Sequence, residues 1–124
     1  MNPAELFSHE TNPLQLAVRE VLFKEGDAGD AMFVLLDGEL DVMVGDTVVG
    51  NSRRGDLLGE MALIDQSPRS ATVIARTPAQ LARLDAQRFQ RLIQQHPFFA
   101  MHVMKVLAAR IRQKDKAHAQ SKNV

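Results

Sequence analysis

Gly59-Glu60-Met61-Ala62-Leu63-Ile64-Asp65-Gln66-Ser67-Pro68-Arg69-Ser70-Ala71-Thr72-Val73 is the stretch that organises this chain. Gly59 has no Cβ, so a ligand can approach its backbone closely. Glu60–Ile64 is rich in helix formers and predicts a single helical turn. The N-terminus of such a turn presents N–H groups and a partial positive charge. Asp65-Gln66-Ser67-Pro68 is turn chemistry that ends it. Arg69 follows, the only cation of the stretch, then the Ser70 hydroxyl, and Ala71-Thr72-Val73 returns the chain to a strand. One short segment therefore supplies amides, a guanidinium and a hydroxyl for an anion. Glu60 adds a carboxylate that can accept hydrogen bonds from a sugar.

A second stretch lies upstream. Phe23-Lys24-Glu25-Gly26-Asp27-Ala28-Gly29-Asp30-Ala31-Met32-Phe33-Val34-Leu35-Leu36-Asp37-Gly38-Glu39-Leu40 has a Gly-Asp, strand–Gly–strand pattern. Together, this pattern and the Gly-Glu-x-Ala-Leu…Pro-Arg-Ser-Ala-Thr-Val spacing resemble the first hairpins and the phosphate-binding cassette of cyclic-nucleotide-binding domains. That family includes catabolite activator proteins, regulatory subunits of cyclic AMP-dependent kinase and cyclic-nucleotide-gated channels. The resemblance runs from about Leu14 to about Lys116. It implies a mainly β domain with flanking helices, built on an eight-stranded antiparallel jelly-roll (a double-stranded β-helix). The implied organisation is one domain over residues 1–124. An N-terminal helix covers 1–13, the jelly-roll 14–84 with its cassette at 59–73, and C-terminal helices 85–119.

The chain's own pattern is compatible with this. With 124 residues it can bury one core. Zero net charge gives it no general pull toward nucleic acid or anionic membranes. It contains no cysteine, which excludes disulfides and thiolate metal sites and fits a cytoplasmic location. No signal peptide is visible, and no apolar run approaches the ~20 residues of a membrane span.

Asn2-Pro3-Ala4-Glu5 reads as a helix start, with Asn2 as N-cap, and Asn12-Pro13 must end that helix. Short strands are then predicted at Gln15–Val18, Val21–Phe23, Ala31–Leu36, Glu39–Val44, Thr47–Val49, Ala71–Ala75 and Ala79–Leu84. Asp37-Gly38 between two apolar runs signals a tight hairpin. In Glu39–Val44 the alternation places Leu40, Val42 and Val44 on a buried face. From Asp85, a helical N-cap, the period changes: Phe89, Leu92 and Ile93 mark a helix to about Gln95. Pro97 opens a second helix to about Ala119. Ala100, Met104, Leu107 and Ile111 form its apolar seam, widened by Val103 and Val106. Ser121–Val124 reads as unstructured.

Each candidate site residue has a functional and a plainer reading. Arg69 re-enters an apolar strand, so its stem is half buried and its charge needs a partner. That partner is a phosphate or, alternatively, Glu60 or Asp56. Glu60 is either a helix-dipole complement or, as the resemblance implies, the acceptor of a ribose 2′-hydroxyl. Gly59, Met61, Ala62, Ser70 and Ala71 complete the cassette, as phosphate donors and small neighbours or as the packing of a tight turn. Family members that prefer cyclic GMP often have threonine at the position of Ser70, and cyclic AMP-selective kinase subunits have alanine. The serine leaves the base open, with cyclic AMP preferred. Val42, Val49 and Leu58 line the base side by resemblance, or are core aliphatics. Arg110 either reaches the ligand from the closing C-terminal helix or is a solvated arginine. Lys105, Arg112, Lys114, Lys116 and Lys122 read as a wet basic face.

The rivals are weaker. His9, His96, His102 and His118 all lie outside residues 14–84, so a cupin-like metal enzyme lacks its ligands. No nucleophile–base pair suggests hydrolysis. The expectation is a stand-alone, non-enzymatic sensor of cyclic AMP, with cyclic GMP open, no metal and no direct DNA contact, since no helix-turn-helix follows Ile111. The signal would be closure of the C-terminal helix toward an unidentified protein partner or a second copy. The alternatives are an interaction module that dimerises through that helix and a fragment of a larger channel or regulator. Arg19 departs from the family, many of whose members have glycine before the second strand.

Overall fold

The computed structural model describes residues 2–122, with side chains described through residue 112. The chain forms two compact units that divide between Phe89 and Gln90.

The first unit begins with a short 3₁₀ helix, Pro3–Phe7. Asn2 caps it as its sequence predicts, its side-chain oxygen accepting from the Ala4 N–H at 2.9 Å. Five residues in a 3₁₀ rather than an α geometry suit so short a segment. Eight antiparallel strands follow: β1 (Leu14–Leu16), β2 (Val21–Phe23), β3 (Ala31–Asp37), β4 (Leu40–Val44), β5 (Thr47–Ser52), β6 (Leu57–Leu58), β7 (Thr72–Ala75) and β8 (Ala79–Asp85). A one-and-a-half-turn helix, α1 (Glu60–Asp65), sits between β6 and β7. The strands form two four-stranded sheets, in the orders β1-β8-β3-β6 and β2-β7-β4-β5. This is the jelly-roll arrangement the resemblance implies, but the expected Asp37-Gly38 hairpin does not form: β3 and β4 lie in different sheets, so this turn, with Gly38 left-handed at φ 91°, carries the chain from one sheet to the other.

The core lies between the sheets. Leu16, Phe33, Leu35, Leu58 and Leu81 come from one sheet, and Leu40, Val73 and Ala75 from the other. β3 is buried on both faces, because α1 and the N-terminal 3₁₀ helix lie against it. This explains its continuous apolar run. β4 departs from strict alternation: Leu40 is buried and Val42 half-buried, but Val44, in the last pair before the Gly45 turn, is exposed. The β4–β5 register shifts between Val42 and Met43, leaving Val49 between pairs. β6 is only two residues long, too short for any periodic signal.

Asp85 caps the following helix, α2 (Ala86–Gln95), through its carboxylate and the Arg88 N–H at 2.8 Å. In the second unit α3 runs from Pro97 to Lys122, so Ser121 and Lys122 are helical, whereas Asn123 and Val124 lie outside the described residues. The apolar seam differs from the expected one. Phe99 and Val103 are the buried positions, while Met104 is 56% and Ile111 60% exposed. Heptad counting from Ala100 misses the buried stripe because that stripe starts one residue earlier, at Phe99.

Arg19 resolves the family departure. It adopts a left-handed backbone, φ 70°, and its N–H donates to Ala75 O at 2.7 Å. The turn that favours glycine is thus kept at a non-glycine residue. Left-handed geometry costs about 1–2 kcal/mol for an L-residue, against about 0.5–1 kcal/mol of extra chain entropy in glycine. Arg19→Gly is therefore expected to stabilise the fold by about 0.5–1 kcal/mol in a denaturant titration, with the slope unchanged.

Candidate functional site

Arg69 is the centre of the candidate site. It is 7% exposed, an unusual burial for a cation. Its backbone is laced to the turn after β2: its N–H donates to Asp27 O at 2.8 Å, and its carbonyl accepts from Gly26 N–H at 2.8 Å. Its side chain packs beneath two rings, with Cζ 4.3 Å from the Phe23 centroid and 5.8 Å from that of Phe33. Nη1 donates to Gly59 O at 3.1 Å, so its hydrogen bond goes to a carbonyl and not to Asp56. Asp56 instead accepts from the Arg53 N–H at 2.9 Å. The buried Nε has no hydrogen-bond partner among the described residues.

Two glycines make room for this guanidinium. A Cβ on Gly29 would collide with Arg69 Cζ, Nε and Nη2, and one on Gly59 with Nη1. Gly59 also has φ +75°, left-handed geometry at the N-cap of α1, and no side chain caps that end. The first amides of α1, from Met61 onward, are therefore not claimed by a capping side chain. At the other end Asp65 accepts from both the N–H and the hydroxyl of Ser67, at 3.0 and 2.6 Å. This is the predicted turn, with Gln66 left-handed at φ 61°.

Glu60, in the first turn of α1, is completely buried. Burial pushes the Arg69 guanidinium below its ordinary pKa, and Asp30, then Asp27 and Glu60, pull it back. An arginine stays protonated under such shifts at neutral pH, so the site holds a desolvated positive charge. A group of this kind attracts a compact, multidentate anion such as a phosphate.

The structure gathers Gly59, Glu60, Met61, Ala62, Arg69, Ser70 and Ala71 into one loop-helix-loop between β6 and β7. Ala62 and Ala71 are buried, Met61 is half-buried, and Ser70 is exposed. Leu58 belongs to the core and Val42 packs against it. Val49 is 59% exposed. Arg110 is exposed on α3, in the second unit. The side chains of Lys114, Lys116 and Lys122 lie outside the described ones. Among the described residues, no group of three or more His, Cys, Asp or Glu could hold a metal, and no helix is long and apolar enough to cross a membrane.

Sequence reading missed Phe23, Phe33 and Gly29 as parts of the site. Their signal was present, since a glycine and two aromatics flank the Gly26-Asp27 turn. Nothing local, however, shows that this turn meets a residue more than forty positions later.

The comparisons follow the same geometry. A family model for the cyclic nucleotide-binding domain matches residues 13–96. The chain is similar to the cAMP-dependent protein kinase regulatory subunit of Emericella nidulans, 41% identical over 76 residues, covering 60% of this chain and 18% of that protein. It is also similar to lysophospholipase nte1 of Aspergillus oryzae, 34% identical over 104 residues, covering 80% of this chain and 7% of that protein. The chain thus spans less than a fifth of the length of these relatives. Among solved structures, one from work on a cyclic-GMP-dependent signalling pathway in bacterial phytopathogenesis superposes with TM-score 0.76 at 27% identity. That superposition covers 91% of this chain and 95% of the other.

The contact between Gly59 and Arg69 can be isolated. Gly45 is also left-handed, at φ 59°, but a Cβ there meets nothing within 4 Å. Gly45→Ala should cost about 1 kcal/mol from backbone strain alone. Gly59→Ala should cost about 2–4 kcal/mol in the same denaturant titration, because the new methyl also displaces the guanidinium.

Proposed function

The chain belongs to the cyclic nucleotide-binding domain family, and from that premise we propose that it is a non-enzymatic sensor whose ligand is a 3′,5′-cyclic nucleotide, with cyclic AMP preferred. The observation that carries this reading is Arg69: a buried guanidinium, held by backbone and two rings, whose Nε has no partner among the described residues. A cyclic phosphate supplies the missing acceptor without a large group that the tight glycine-lined cradle could not accommodate. In this reading the amides of Met61 and Ala62 and the Ser70 hydroxyl donate to the remaining phosphate oxygens. Ala71 leaves space for them, and Glu60 accepts from the ribose 2′-hydroxyl. Val42, Val49 and Leu58 form the base side.

The preference for cyclic AMP rests on Ser70, which is not the threonine often found with cyclic GMP, and on the kinase subunit, named for its cyclic AMP dependence. The cyclic-GMP-dependent pathway of the superposed structure keeps cyclic GMP as the competitor. The output is a ligand-dependent change in the C-terminal helix, with Arg110 as its contact, read by a partner protein in the cytoplasm. A ligand shifts such an equilibrium only by its differential affinity for the two states. The exposed Met104 and Ile111 favour a second reading, a module that self-associates through α3.

Calorimetric titration of cyclic AMP and cyclic GMP should give saturable binding, tighter for cyclic AMP. Arg69→Ala should weaken it by about a hundredfold or more, since each charge-assisted hydrogen bond lost is worth ~1.5–3 kcal/mol. No binding at millimolar nucleotide, with self-association by sedimentation, would replace the sensor with the α3 module. A 2′-deoxy analogue tests Glu60: it should bind more weakly to the unaltered protein, and Glu60→Gln should narrow that difference.

A further inference from the structure

Near Arg69 stands a second arginine that the cassette does not include. Arg83 lies on β8 in register with Phe33 of β3. Directly paired residues of antiparallel strands point to the same side of a sheet. Phe33 is the ring that lies 5.8 Å from Arg69 Cζ, so Arg83 faces the same side as the anion site. Arg83 Nη2 is 3.4 Å from Asp30 Oδ1. Asp30 directly follows Gly29, where an added Cβ would collide with the Arg69 guanidinium. Of the carboxylates that hold up the Arg69 charge, Asp30 is the strongest, and Arg83 acts in the opposite sense. Three charges thus stand in sequence around the cradle: Arg69, Asp30 and Arg83.

This order has a cost for any anion at Arg69. Asp30 helps to balance the buried guanidinium of the free protein, but it repels a phosphate placed there. Asp30 is 91% exposed and Arg83 52%, so both side chains are free to reorient in water. We propose that Arg83 is a positioning residue for the anion site: it draws the Asp30 carboxylate away from Arg69 and so sets how tightly the site takes a cyclic phosphate. Arg83 acts through Asp30 and makes no bond to the ligand itself. The inference rests on the sensor reading above and deepens it, since it makes affinity tunable by a pair outside the cassette.

A double-mutant cycle tests it, with cyclic AMP as the probe at low and high salt. Exposed ion pairs are worth little, so the effects are modest. Arg83→Gln should weaken cyclic AMP binding by about two- to fivefold at low salt, and the loss should shrink as salt screens the freed Asp30 carboxylate. Asp30→Asn should leave binding equal or tighter. The double variant should bind like Asp30→Asn, because with the carboxylate gone Arg83 has nothing to position. Thermal midpoints without nucleotide, measured for all variants, separate this from a general loss of stability. Three results overturn the inference while the sensor reading stands, with binding still lost in Arg69→Ala. These are unchanged binding in Arg83→Gln, equal weakening in Arg83→Gln and the double variant, and weakening by Asp30→Asn. Absence of binding in the unaltered protein overturns both.

Discussion

The first unit depends, at its candidate site, on one buried positive charge. The Arg69 guanidinium has left water without a compensating carboxylate hydrogen bond on its buried Nε. Such burial is unfavourable unless the surroundings compensate. Here they do so in parts: the faces of Phe23 and Phe33, the carbonyl of Gly59, and the more distant Asp30, Asp27 and Glu60. None of these replaces a directly bonded anion. The cost is carried by the rest of the fold, whose core between the two sheets holds both rings in place.

That constraint also explains the local sequence. Gly29 precedes β3 and Gly59 follows β6, yet a side chain on either would occupy the space of the same guanidinium. The tight turn before Arg69 and the left-handed entry to α1 deliver the cation and the helix amides to one place. The chemistry is therefore a property of where four segments meet. No single segment would bind an anion well alone.

Much of this was legible in the sequence because the signals are local. The Asn2 and Asp85 caps and the Asp65-Gln66-Ser67 turn each depend on a few adjacent residues, and each forms as read. At Asp37-Gly38 the chain turns as read, but which strands pair is decided by the whole sandwich, and β3 and β4 join different sheets. The loop-helix-loop over residues 59–71 was legible because its residues are contiguous. What was not legible is non-local or too short. Leu57–Leu58 is a strand only because β3 pairs with it. Phe23, Phe33 and Gly29 become site residues only once β2 and β3 are folded beside the cassette. On α3 a four-three spacing from Ala100 suggested a seam, but burial selects Phe99 and Val103, which tertiary packing decides and periodicity does not. Arg19 shows the converse: its residue type argues against the turn, yet two backbone hydrogen bonds with β7, from Arg19 N–H to Ala75 O and from Ala75 N–H to Glu20 O, impose it.

The two backbone hydrogen bonds between Arg69 and the Gly26-Asp27 turn have a consequence for motion. They run in opposite directions between the same two short segments, so neither segment can open while the other stays closed. The Gly26 and Arg69 amides are therefore expected to open as one cooperative unit and to exchange with solvent at a common free energy. Anything that grips the guanidinium slows exchange at Gly26 as well, in a turn it never touches. In the proposed sensor, the turn after β2 would thereby report occupancy, readable one amide at a time.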